Sequence, residues 1–276
     1  TDPSEIFEKV IAAYQSMETY KAEGVITSDI DAGGMKMATS SEFSIVLKKP
    51  NLYLISWTQK NMAMPGMVQS GAVWNDGTQA YLYVGGMYSK IANDELALAS
   101  AMGFSGGAAF TIPSVFLSVF KEKLSPFERL KNVKLEKIED VENEECYVIS
   151  ARSAFSKEET FWISKSKYLI IKYARSLEAP EGGRTMPEMT DEQLEEAMKS
   201  MGQEVTAESR QRMRETMNKQ REILETTEMK GSVAELHVQI SSPELSTADF
   251  QFALPHGAVL KESLFGGAFR GSEQKE

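Results

Sequence analysis

Apolar residues recur along this chain with two periods, and the change from one to the other marks out its elements. Ile6, Val10, Ala13, Tyr14 and Met17 follow helical spacing and form one stripe. Asp2-Pro3-Ser4-Glu5 supplies the helix start, because Asp2 accepts from free backbone N–H groups, Pro3 suits the first helical position and Glu5 fits a capping box. From Lys21 the period becomes two. Segments near 22–31, 35–48, 51–60, 68–75 and 78–84 carry Val, Ile, Tyr, Phe, Trp and Thr between the turn signals "AGG", "KKPN" and "NDG", which predicts an antiparallel meander.

Region 93–127 interrupts the alternation. "NDELALASAMGF", the Gly-rich joint "SGGAAF" and a helix start at Pro113 predict two short helices and a loop. Strands resume at 132–141, 144–152, 158–164 and 167–175, and again at 228–241. Between the last two lies a polar, methionine-rich insert, 177–227. There Thr190-Asp191-Glu192-Gln193 caps one helix, Gly202 ends it, and Thr206 opens a second that runs to about Thr226. Leu194, Met198, Met201, Met213 and Met217 give this insert a soft apolar face, which reads as a helical hairpin or as a second lid. The tail "FGGAFRGSEQKE" reads as frayed.

Several strands are apolar on both faces. Tyr53, Ile55 and Trp57 share one face with Leu52 and Leu54 opposite, Tyr81 and Tyr83 lie opposite Leu82 and Val84, and Phe161 and Ile163 lie opposite Trp162. A sheet solvated on one side would be polar on one of those faces, so this one is covered twice. Two arrangements fit: a sealed sandwich-like packing, or a curved sheet whose concave side is a cavity for an apolar ligand.

Composition narrows the function. The 276 residues, 42% hydrophobic, suffice for one large domain or two small ones. Thirty basic against forty acidic residues give a net charge of -10, which disfavours nucleic acid and anionic membrane surfaces as partners. The one cysteine, Cys146, excludes an internal disulfide and reads as a small buried strand residue. No apolar run reaches the roughly 18 to 20 residues of a membrane-spanning helix. The chain begins at Thr1 without Met, which fits removal of an upstream segment.

Catalytic chemistry is sparse. The two histidines read as structural, His237 as an outward or hydrogen-bonded strand residue and His256 as a turn residue. "GFSGG" matches neither a nucleophile elbow nor a phosphate-binding loop. Glu144-Glu145 and Glu158-Glu159 sit at hairpin ends, where adjacent acids are usually solvated. The pattern therefore predicts no catalytic group, no metal and no cofactor.

At "LKKPNLYLISW", then "VWNDGTQAYLYV", and near the end "ADFQFALPHGAVL", the sequence resembles the periplasmic lipoprotein carrier LolA and its outer-membrane lipoprotein-sorting relatives. These families share a basic residue before Pro-Asn-aromatic and Trp, then Asp-Gly before an aromatic strand, then Phe-x-Phe-x-x-Pro-x-Gly. The resemblance implies an α+β fold: a curved antiparallel sheet forming an incomplete β-barrel, lidded by helices, with the helical insert as an appendage to one domain spanning 1–276. It implies a non-enzymatic, periplasmic or extracytoplasmic binder of lipid or lipoprotein acyl chains, its signal peptide removed. An envelope-stress sensor that binds an envelope protein is the alternative within the same fold. Tyr53, Ile55, Trp57, Tyr81, Tyr83, Phe161 and Ile163 are then expected to line the cavity. Ala97, Leu98, Met102, Phe104 and Phe110 are expected to plug it from a lid hinged at Gly103, Gly106 and Gly107. Lys49 stands where the carriers have an arginine that helps hold the lid shut, and it lacks that residue's planar fork.

Overall fold

A computed structural model describes residues 2–64, 66–120, 126–179, 190–200, 204–226, 228–262 and 264. The expectations for Met201, Gly202 and the glycine-containing tail fall outside them.

Helix α1 (Pro3–Ser16) starts as its sequence dictates: the Asp2 carboxylate accepts from Ser4 N at 2.9 Å, and Ile6, Phe7, Val10 and Tyr14 form the buried stripe. A meander follows: β1 (Thr19–Ala32), β2 (Met35–Lys48), β3 (Leu52–Asn61), β4 (Val68–Asn75), β5 (Ala80–Val84) and β6 (Met87–Ile91). The strand β6 lies beyond the last strand that the alternation predicts, across the Gly85-Gly86 turn. A crossover then carries α2 (Asp94–Phe104), the four-residue α3 (Pro113–Phe116) and two 3-10 turns. The second meander is β7 (Lys131–Val141), β8 (Glu144–Arg152), β9 (Glu159–Ser164) and β10 (Ile170–Ser176). Helices α4 (Asp191–Ser200) and α5 (Ala207–Thr226) precede β11 (Met229–Ser241), and β12 (Val259–Leu260) comes last.

All twelve strands belong to one sheet, in the order β12-β6-β5-β4-β3-β2-β1-β11-β10-β9-β8-β7. Every pairing is antiparallel except the two-residue ladder of β12 on β6. The sheet is not closed: β7 and β12 are its edges, and the fold is an incomplete barrel lidded by helices. Its centre is β1, where the two meanders meet because β11 pairs with β1 along nearly its whole length.

Both faces are covered, as the two-faced apolar strands require. On the inner face α1 meets α3 and β7, while α2 packs on β4, β5 and β6. The main core lies there, built from α1 and from rows such as Tyr20-Leu47-Tyr53 and Ala22-Ile45-Ile55-Val73-Leu82, with Phe161 and Ile163 from the second meander. On the outer face Trp74 stacks on Tyr81 with ring centroids 5.0 Å apart, and Phe252 from the C-terminal segment closes on Trp74 and Tyr83 at 5.1 and 5.5 Å. The insert has a small core of its own, Leu194, Met198 and Met213, with Val205 and Met217 against it. An Arg210–Glu195 ion pair at 2.6 Å and an Arg214–Asp191 pair join its two helices.

Candidate functional site

The inner face is an apolar floor under a thin cover. Its rows follow from strand register, since side chains two apart along a strand point to the same face and partners in register stand side by side. Tyr53, Ile55 and Trp57 lie on this floor, as do Phe161 and Ile163, and all five are buried. Tyr81 and Tyr83 do not. They belong to the outer-face cluster with Trp74, and their strand presents Ala80, Leu82 and Val84 inward instead. The expectation for these two tyrosines is corrected by register: Trp74 pairs with Tyr81 and with Leu54, so all three share the outer face.

The cover is the crossover between the meanders, and its first part, from α2 to Ala109, sets mostly alanine on the floor. Ala97, Ala101, Ala108, Ala109 and Leu98 are buried, along with Ile112 and Phe116. Leu98, expected as a plug, is buried under the cover. Met102, Phe104 and Phe110 are not, being 42, 39 and 39% exposed. Ala97, Leu98 and Ala101 define the inward side of α2, and each residue turns the helix by about 100°, which carries Met102 off that side, while Phe104, in line with Ala97, is exposed as the last residue of the helix. Phe110 meets Phe120 edge to face at 6.2 Å. Gly103 lies within α2, so it is no joint, whereas Gly106 and Gly107 have φ of +70° and +122°, a region open mainly to glycine.

Polar ties hold the cover at three points. At the start of α2, Asp94 Oδ1 accepts from Tyr53 OH at 3.0 Å and from Asn75 Nδ2 at 2.6 Å. Burial and the Asp94 carboxylate push the Tyr53 hydroxyl pKa well up, so it stays a donor. At the far end the Lys-Pro-Asn turn receives the segment after α3: Ser118 N donates to Pro50 O at 2.9 Å and Val119 N to Asn51 Oδ1 at 2.8 Å. Lys49 Nζ donates to Gln15 O in the last turn of α1, and its ammonium sits 5.2 Å from the centroid of Phe116. Lys49 thus joins a helix C-terminus, where cations are favoured, to the ring at the end of α3.

The third tie is one the sequence pattern conceals. Glu235 and His237, from β11, point inward and are 2 and 1% exposed. Thr111 Oγ1 donates to Glu235 Oε2 at 2.6 Å, and Glu235 Oε1 stands 2.8 Å from His237 Nε2 without the alignment of a hydrogen bond. The other imidazole nitrogen is 3.5 Å from Tyr20 OH. The Phe43 ring fills the place of the side chain that Gly24 lacks and meets the imidazole edge to face at 5.2 Å. Of the two expectations for His237, outward or hydrogen-bonded, the second holds: the residue points inward, beside Tyr20. Glu159, expected to be solvated, is buried too and accepts from Tyr173 OH at 2.8 Å. Burial pushes the Tyr14, Tyr20 and Tyr173 hydroxyls up, with Glu235 adding to each.

Among the described residues no group of three or more His, Cys, Asp and Glu gathers to hold a metal, and no helix is long and apolar enough to cross a membrane. Cys146 is buried, as expected. Its thiol is pushed up to about 11 by burial and by nearby carboxylates.

No protein-family model matches the chain, and no curated protein matches it. Solved structures do. LprF from Mycobacterium bovis matches at 10% identity and a TM-score of 0.42, over 93% of this chain and 98% of that one. The lipoprotein LppX from Mycobacterium tuberculosis matches at 9% identity and a TM-score of 0.40, over 89% and 99% of the two chains. A LolA superfamily protein from Nitrosomonas europaea matches at 10% identity and a TM-score of 0.29, over 91% and 98%.

Proposed function

We propose that this protein binds a long apolar chain, of a lipid or of a lipoprotein's acyl group, between the inner face of the sheet and its cover. It does so in the bacterial cell envelope and without catalysing a reaction on the ligand. The observation that supports the reading best is the mismatch between floor and cover. The floor carries large side chains such as Tyr53, Ile55 and Trp57, and the part of the cover from α2 to Ala109 buries four alanines and one leucine. Burying an alanine side chain gains little, whereas an acyl chain gains about 0.8 kcal/mol for each CH₂ it removes from water. A chain of a dozen carbons therefore offers on the order of 10 kcal/mol against the loss of the cover's own contacts.

Native mass spectrometry of gently prepared protein tests the reading. Co-purified lipid released on unfolding is the expected result. Protein that is always empty, and that takes up no neutral fluorescent probe such as N-phenylnaphthylamine, would overturn it and favour a role in which only a protein partner is bound.

A further inference from the structure

The inner floor changes character along its strands. The rows through Tyr20, Ala22 and Gly24 carry Leu47, Ile45 and Phe43 on β2 and Tyr53, Ile55 and Trp57 on β3. The next row, through Ile26, carries Ser41 and Gln59 on that side and Glu235 on β11. Beyond it comes Ser28, hydrogen-bonded to Thr39 at 2.6 Å. An apolar track thus ends at a polar bar, the arrangement that fits an amphiphile with its chain along the track and its head at the bar.

Four buried polar atoms at this boundary have no hydrogen-bond partner among the described residues: Ser41 Oγ, Trp57 Nε1, Glu235 Oε1 and His237 Nε2. Buried polar groups left unpaired cost free energy, and such groups at an otherwise satisfied site mark where a ligand completes the bonding. The chain already shows what fits. Thr111 puts a hydroxyl on the other oxygen of Glu235, from the turn next to Gly106 and Gly107, where a Cβ on Gly107 would stand 3.4 Å from that oxygen.

We propose that Glu235 and His237 form a recognition site for the uncharged hydroxyl head of a long-chain amphiphile, such as a fatty alcohol or a monoacylglycerol. The proposal rests on the apolar-chain reading above. A hydroxyl is the group that both donates and accepts, so one oxygen placed about 2.8 Å from each partner donates to Glu235 Oε1 and accepts from His237 Nε2. Thr111 keeps its bond to Oε2, and the ligand's hydroxyl completes the bonding on Oε1. A carboxylate head suits the site badly, because it would face the Glu235 carboxylate in a buried setting where like charges repel strongly.

Equilibrium titrations of the full chain with N-phenylnaphthylamine, dodecanol and dodecanoate test this. The alcohol and the acid share one chain length, so their ratio isolates the head. Wild-type protein is expected to prefer dodecanol by about tenfold or more, the discrimination typical of one buried polar contact. Glu235→Gln should bring that ratio close to one by improving dodecanoate. Should this variant fail to fold, His237→Phe serves instead: it removes the donor to the ligand's hydroxyl and should weaken dodecanol more than the headless probe. Probe binding with equal affinity for alcohol and acid would overturn the head site and leave the apolar-chain reading standing. No binding of any of the three would overturn both.

Discussion

Cutting the tie at the start of α2 should loosen the cover without unfolding the sheet. Asp94→Ala removes the shared acceptor of Tyr53 OH and Asn75 Nδ2. A hydrogen bond to a charged group is worth about 1.5–3 kcal/mol, and a buried donor left unpaired costs about 1–3 kcal/mol. Tyr53 is fully buried, so its hydroxyl finds no easy replacement in water. The two bonds share one oxygen and are not additive, which puts the combined loss at about 2–4 kcal/mol. If α2 opens as a local unit, amide protection within 94–104 should fall by roughly 30- to 1,000-fold, while β1 and β11 at the centre of the sheet keep theirs. Hydrogen exchange read by mass spectrometry measures both segments in one experiment. Tyr53→Phe should reproduce about half of the effect, and the double variant should lose less than the sum of the two. Equal loss of protection in 94–104 and in the central strands would refute the reasoning, because α2 would then open only when the whole molecule unfolds.

Three further outcomes follow from local chemistry. Ser164 and Ser166 hydroxyls and Lys167 hold the Glu144 carboxylate down to about 2 from an ordinary 4.5. Its contribution is therefore complete above pH 4.5 and lost as pH falls through about 2, so the stability gap between wild type and Glu144→Gln, about 0.5–1 kcal/mol after solvent screening, should close across that window in urea titrations. The buried Cys146 thiol, pushed up to about 11, should resist alkylation at pH 8 in folded protein and react at once in urea. Dilute peroxide should oxidise the exposed Met35, Met62, Met64 and Met67 before the buried Met198 and Met213, as peptide mass mapping would show; the reverse order would mean the α4–α5 core is open.

Much of the architecture was legible because period-two alternation and turn signals are local. Among the described residues, ten of the twelve strands lie where the sequence predicts them; β12, two residues long, is too short to show an alternation, and the expected meander stopped one strand short of β6. Which face is inside was harder to read. In "AELHVQIS" the apolar Ala234, Leu236, Val238 and Ile240 alternate with Glu235 and His237, so hydrophobicity alone turns the acid and the imidazole outward. The structure turns them inward because Thr111 and Tyr20, distant in sequence, meet them there, while Leu236 and Val238 stay half-buried on the other side. Tyr81 and Tyr83 failed for a related reason. Alternation fixes which residues share a face, and only the pairing with Trp74 and Phe252 tells which face that is. In the cover, Met102, Phe104 and Phe110 were expected to face the floor with Ala97 and Leu98, but they are exposed, and Ala101, Ala108 and Ala109 are buried there instead.

The open sheet has a consequence for how the molecule keeps to itself. A closed barrel has no free ladder, but a sheet that ends at β7 and β12 presents backbone donors and acceptors on which another chain can grow a strand. At one end β7 answers with Lys131, Lys134, Lys137 and three acids in eleven residues, and with two breaks in register that bend it away from a flat template. At the other end β12 shields β6 with two residues only, both more than a third exposed and both apolar. Any self-association or amyloid-like growth of this protein should therefore begin at the β6 edge, after Val259 and Leu260 peel away.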